Sequence, residues 1–187
     1  MKKILLIVCC MLLSWNTAAM ELAGVKLADA IQLGGQTLVL NGAGIRTKFF
    51  FNIYVGVLYL PQRQTSGAAI IADEHEHRMA LHILHDLSSK KLFNAFNDAI
   101  VANQTPAELA ALGAQLKQMG QIFDTVQEVK PGDVIALDYL PASGTQISVN
   151  GTARGTIAGA ALNRALLQIW LGDKPVQADL KKGLLGG

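Results

Sequence analysis

The chain has 187 residues, of which 51% are apolar and 16% charged. That balance supports a sizeable core and excludes a disordered chain, and the length suits one domain, usually about 100 to 200 residues. With 16 Lys plus Arg against 14 Asp plus Glu, the chain lacks the basic excess on which phosphate neutralisation depends, so nucleic acid is not expected as a partner.

Lys2 and Lys3 precede an apolar run from Ile4 to Leu13, and Thr17, Ala18 and Ala19 supply small residues for cleavage. Residues 1–19 therefore read as a secretory signal peptide, and the mature domain is expected over 20–187, in the periplasm or outside the cell. The apolar run is too short to span a bilayer, and no transmembrane segment is expected in the mature chain. Cys9 and Cys10 both fall in the leader, which leaves the mature chain without thiols or disulfides; Val8 before Cys9 does not suit lipoprotein processing. Loss of Lys2 and Lys3 balances the mature protein at 14 basic and 14 acidic residues.

Along the chain, Gln36 to Asn41 and Ile45 to Leu60 are rich in strand formers, and Asn41-Gly42-Ala43-Gly44 between them reads as a hairpin turn. The second run is long for one strand, so a bulge or bend is expected at Asn52 or Gly56, and Pro61 ends it. Thr65 to Ala72 suits a short helix, and Arg78 to His85 alternates as a strand with Met79, Leu81 and Ile83 on one face. Ser88 caps a helix whose apolar stripe is Leu92, Phe96, Ala99 and Ile100. Thr105-Pro106-Ala107-Glu108 opens another with a capping box and a proline at its first position, and Gly120 is expected to stop it. Asp133 to Leu140, Thr145 to Val149 and Ala153 to Ile157 form an antiparallel meander turned at Pro141–Gly144 and at Asn150-Gly151. A last helix runs from Ala160 to Leu171 and ends at Gly172 and Pro175. Strands, helices, strands and a helix indicate an α+β fold.

Few motifs carry chemistry. Gly42, Gly44 and Thr47 precede a strand rather than a helix and make no phosphate loop. The asparagines of Asn103-Gln104-Thr105 and Asn150-Gly151-Thr152 are explained by a helix cap and a turn rather than by glycosylation. His75, His77, His82 and His85 lack a fixed third ligand, and no serine sits on a nucleophile elbow. Arg46 is different, because a guanidinium in the run Ile45 to Phe51 keeps its charge and must find an anion, internal or ligand-borne, or turn its head to water.

Gly132-Asp133-Val134, Tyr139-Leu140-Pro141, Gly155-Thr156-Ile157-Ala158-Gly159 and the block Ile169-Trp170-Leu171-Gly172-Asp173-Lys174-Pro175 resemble the bacterial secreted branch of the chalcone isomerase-like family. The likeness reaches back through Gly44-Ile45-Arg46-Thr47-Lys48 and Ile53 to Leu60. It implies an open-faced β-sandwich, a large antiparallel sheet with helices packed on one face and a ligand cleft between them. Plant members of the family cyclise chalcones, with an arginine favouring the phenolate and a tyrosine near the carbonyl; others hold a fatty acid carboxylate with the corresponding arginine and a tyrosine. Arg46 matches the arginine, catalytic if the chain is enzymatic, while Tyr59 and then Tyr54 match the tyrosine and Asn97 an asparagine of the isomerase pocket. Residues thirteen apart on one strand point to opposite faces, so Arg46 and Tyr59 share a cleft only if a bulge intervenes, whereas Tyr54 needs none. The isomerases carry a tyrosine where this chain reads Ser88-Ser89-Lys90-Lys91-Leu92.

The leading expectation is a binding module for a fatty acid or similar apolar carboxylate, with no cofactor and no metal. An intramolecular lyase of the chalcone isomerase type is the alternative. A structural or interaction protein, in which Arg46 pairs with an internal acid such as Asp138, is the third.

Overall fold

The computed structural model describes residues 20–187, and the expected leader lies outside them. Eleven strands and five helices follow in the order β1 (Met20–Leu22), β2 (Val25–Leu27), β3 (Ala30–Leu33), β4 (Gln36–Lys48), β5 (Phe51–Leu60), α1 (Gly67–Ala72), β6 (His77–Ile83), β7 (Leu87–Ser88), α2 (Ser89–Asn103), α3 (Pro106–Asp124), β8 (Glu128–Val129), β9 (Val134–Leu140), β10 (Gly144–Val149), β11 (Thr152–Ile157), α4 (Ala160–Leu171) and α5 (Ala178–Leu184). Seven strands form one antiparallel sheet in the order β11-β10-β9-β6-β5-β4-β3, with β1-β2 and β7-β8 as separate ribbons.

The alternation of side chains sorts the sheet into two faces. Tyr54, Leu58, Leu60, Met79, Leu81, Ile83, Ile135, Leu137 and Ile147 face the helices and join Leu92, Phe96, Ile100, Met119, Leu166 and Trp170 in the main core. Val55, Val57, Tyr59 and Ala80 face the other way, into a smaller core with Leu27, Leu38 and Leu40 under the β1-β2 ribbon. Both faces of β5 are covered, so its sequence reads as an almost unbroken apolar run.

That covering explains where the expected turn falls. Asn41-Gly42-Ala43-Gly44 is strand, and the chain reverses instead at Phe49-Phe50, where Lys48 pairs with Phe51. The glycines serve a close approach: a Cβ on Gly42 would lie 2.2 Å from the Gly183 carbonyl oxygen, and one on Gly44 3.0 Å from the Leu180 side chain. They form the bed on which α5 lies. Asn41 marks a bulge, as the register slips between Leu40 and Gly42, and its amide nitrogen donates to Gln64 O and Leu184 O. A second slip between Arg46 and Thr47 leaves Ile53 without a partner, next to the expected Asn52.

The helices follow their caps. Ser88 accepts from Lys91 N at the start of α2, and Thr105 with Glu108 completes the capping box of α3. Gly120 does not end α3, which continues to Asp124 because Ile122 and Phe123 still have a core to enter. A Cβ at Gly120 would sit 3.2 Å from the Phe93 ring, so this glycine admits α2 against α3. Asn150 and Gly151 turn β10 into β11, as their sequence requires. The β1 to β3 strands, β7, β8 and α5 have no counterpart in the sequence reading, being short or, for α5, built on a seven-residue ADLKKGL segment with two apolar anchors, Leu180 and Leu184.

Candidate functional site

Arg46 stands on β4 directly opposite Tyr54 on β5, so the two side chains leave the sheet on the same, helix-bearing face. The sharing of a face comes from cross-strand pairing, not from even spacing along one strand, and it depends on the bulge at Ile53. The register that starts with Lys48 opposite Phe51 and Thr47 opposite Asn52 would otherwise put Ile53 opposite Arg46, so the expectation that Tyr54 needs no bulge is corrected. Together they line a cavity of about 640 Å³ between the β4-β5 hairpin, α2 and the end of α4. Its walls are Phe51, Ile53, Leu87, Leu92, Phe96, Ile169 and Val176, and exposed Lys48, Asp86, Lys91 and Asp98 stand at its rim. The size and the combination of an apolar wall with polar groups at one end and at the rim suit a small-molecule site.

The guanidinium is held but not neutralised. Arg46 Nη1 donates to Thr47 O at 2.8 Å and to Gln177 Oε1 at 3.1 Å. Gln177 also accepts from Thr47 N and donates to Ile45 O, so one amide at the start of α5 clamps this end of β4. Among the described residues no carboxylate pairs with Arg46. Asp138, the acid considered for that role, is spent elsewhere: it accepts from Arg78 Nε at 2.5 Å and Nη2 at 2.6 Å, as its cross-strand neighbour on β6.

Tyr54 is buried, and its hydroxyl accepts from Trp170 Nε1 at 2.9 Å. Its phenol is pushed up to about 12, because burial disfavours the phenolate more than the Trp170 hydrogen bond and the Arg46 charge favour it. The hydroxyl therefore keeps its proton, and with its lone pair engaged by the indole it can donate into the cavity. Trp170 is itself fixed by an edge-to-face contact with Phe96 at 5.6 Å.

Tyr59 is on the opposite face, in the smaller core, where Arg78 and not Arg46 is the nearby cation. Pairing register separates it from the cavity: neither bulge lies between Tyr54 and Tyr59 on β5, so their odd spacing keeps them on opposite faces. Asn97 is half-buried on α2 and is not part of the cavity wall, which α2 lines through Lys91, Leu92, Asn94, Ala95, Phe96 and Asp98. Of the histidines, His75 bonds to Asp73 at the surface, while His77 is buried between His75 O and Asn163. The sequence reading missed Gln177 and Trp170 as partners of the site, since nothing local marks an amide 131 residues from its arginine as the group that holds it.

A family model described as chalcone isomerase-like matches residues 19–186. The chain belongs to that family. No curated protein matches it. Among solved structures, this chalcone isomerase-like chain is similar to a fatty-acid binding protein of Arabidopsis thaliana, with a TM-score of 0.66 at 15% identity over 87% of this chain and 92% of the plant protein. At that identity the likeness is one of fold: the same large antiparallel sheet with helices laid over one face.

Proposed function

We propose that this protein binds a fatty acid or a similar apolar carboxylate in the Arg46 cavity, with the carboxylate on Arg46 and Tyr54 and the chain along the apolar wall. The observation that carries the reading is a cation without a carboxylate partner beside a neutral phenol, in a cavity that has an apolar wall from Ile53, Leu92, Phe96, Ile169 and Val176 and a charged rim. A carboxylate would accept hydrogen bonds from the free guanidinium N–H groups and from the Tyr54 hydroxyl. Each methylene withdrawn from water adds about 0.8 kcal/mol before ordering costs, so a chain of roughly ten carbons binds usefully. The Arabidopsis relative, named for fatty-acid binding, supports the reading at the level of the fold. Export follows from the leader-like first nineteen residues.

The test is mass identification of what leaves the purified protein on denaturation in organic solvent, together with a fatty acid titration. Arg46→Ala is expected to fold and to bind fatty acid on the order of 10- to 100-fold more weakly. A protein that carries no lipid and takes up no fatty acid overturns the reading.

Arg46 beside the neutral Tyr54 phenol also favours a second reading, an intramolecular lyase in which the pair stabilises a developing oxyanion. The start of α2 offers that chemistry little, since Ser89 donates its hydroxyl to Phe123 O and a serine stands where the isomerases have a tyrosine. Loss of chalcone absorbance faster than the spontaneous reaction, and abolished in Arg46→Ala, would establish it; equal rates dismiss it.

A further inference from the structure

We propose that the tip of the β4-β5 hairpin is a membrane-docking wedge, which seats the mouth of the Arg46 cavity on a lipid bilayer. An apolar ligand then passes between bilayer and cavity without crossing bulk water. The ligand part of this inference rests on the fatty acid reading above; the docking part does not.

Phe49, Phe50 and Phe51 are 84%, 98% and 54% exposed. The other large exposed hydrophobics among the described residues, Met20 and Val101, are not part of this run. Three consecutive aromatic rings at the reversal of a hairpin make a convex apolar point, unlike singly scattered surface hydrophobes. The backbone gives no reason for them. Phe49 sits at φ +55, in the left-handed region that bulky residues avoid, whereas the other two-residue hairpin turns, Ala23-Gly24, Gly34-Gly35 and Asn150-Gly151, each include a glycine. Burial does not account for Phe50 and turn geometry disfavours a phenylalanine at 49, so these two rings point to something outside the fold, while Phe51 also stacks on His85.

The size of the apolar tip favours a bilayer over a second protein. The exposed rings offer on the order of 500 Å² of apolar surface, short of the roughly 800 Å² per partner of a stable protein interface. A bilayer needs no complementary partner shape, and phenylalanine rings bury at its headgroup boundary. The tip also belongs to the cavity, because Phe49 and Phe51 line it and Phe51 stacks on His85 at 4.9 Å beside the rim. Lys48 and Lys91 at the rim are offset by Asp86 and Asp98, so insertion of the rings rather than attraction to anionic lipid drives docking. Attachment of this kind is weak and reversible, as for a single acyl anchor, which suits loading and release.

The test is flotation of the protein with phosphatidylethanolamine and phosphatidylglycerol vesicles, and again with phosphatidylcholine vesicles at low and high salt. Binding to both, with little salt dependence, is expected. Phe50→Ser, which alters a ring outside the cavity wall, is expected to lower vesicle partitioning on the order of tenfold and to leave fatty acid affinity in vesicle-free solution unchanged. In Phe50→Trp, the emission added over the unsubstituted protein is expected to shift to the blue on adding vesicles. Absence of flotation, flotation unaltered by Phe50→Ser, or an added emission that does not move each overturns the wedge. So does sedimentation showing that Phe50→Ser dissolves a dimer while vesicles are ignored, which makes the tip a self-association surface. Flotation that depends on Phe50 in a protein taking up no fatty acid upholds the wedge and removes the ligand reading alone.

Discussion

Trp170 Nε1 reaches down from α4 to donate to the Tyr54 hydroxyl on β5 at 2.9 Å, joining the family's tryptophan-containing block to the strand that faces Arg46. The bond anchors the helix layer to the sheet beside the cavity and fixes the direction in which the phenol proton points. Trp170 is buried away from the cavity, so its indole N–H cannot fall back on water if the bond is lost.

Trp170→Phe is therefore expected to cost about 2–4 kcal/mol, from the lost hydrogen bond and the void left by the smaller ring. Denaturant unfolding of Trp170→Phe, Tyr54→Phe and the double variant gives a coupling of about 1 kcal/mol or more. Additive effects would mean that the bond contributes nothing.

Removal of the carboxylate partners should grade ligand affinity. Arg46→Ala is expected to weaken fatty acid binding on the order of 10- to 100-fold, and Tyr54→Phe by about tenfold, following charge-assisted and neutral hydrogen bonds respectively. Gln177→Ala leaves the charge in place but frees the guanidinium to wander, so its loss should be smaller than that of Arg46→Ala. Displacement of a fluorescent fatty acid measures all three, with Tyr59→Phe as the control that changes nothing because it lies across the sheet.

The alkaline limb of stability carries a signature of Tyr54. Its phenol is raised from 10.0 to about 12, so below pH 10 folded and unfolded chains both hold the proton. As pH climbs from 10 towards 12 the unfolded chain releases it while the folded one does not, and stability falls, by on the order of 2–3 kcal/mol in all. Tyr54→Phe is expected to flatten that part of the decline in unfolding midpoints. Equal slopes for the two proteins would place the titration elsewhere.

The glycine bed predicts a long-range effect. Gly42→Ala puts a methyl group against the Gly183 carbonyl at 2.2 Å, where backbone and not a flexible side chain must yield. The expected loss is about 2–3 kcal/mol, from displacement of α5. Because Gln177 opens α5 and clamps Arg46, the same variant should weaken fatty acid binding although it lies outside the cavity. Gly113→Ala, whose Cβ meets nothing, is the control and should be neutral or slightly stabilising.

Much of this protein is legible in local chemistry alone. The capping box at Thr105 and Glu108, the Asn150-Gly151 turn and the alternation of Met79, Leu81 and Ile83 each depend on neighbours within a few positions, and each stands where the sequence puts it. Arg46 was legible for a similar reason: a permanent charge among strand-forming apolar residues has to be accounted for.

The remaining features depend on what lies across the fold. Gly42 and Gly44 carry the composition of a turn, yet they are strand because a helix from the far end of the chain needs their missing side chains. Gly120 reads as a stop, yet the Phe93 ring and a waiting core carry α3 past it. Tyr54 rather than Tyr59 shares the face of Arg46 because the bulge at Ile53 shifts the register that the Phe49-Phe50 reversal starts, and Asp138 is not the partner of Arg46 because Arg78 already holds it. Sequence determined which groups needed partners; only tertiary packing determined which partners they found, since pairing energies depend on distances that residue order does not contain.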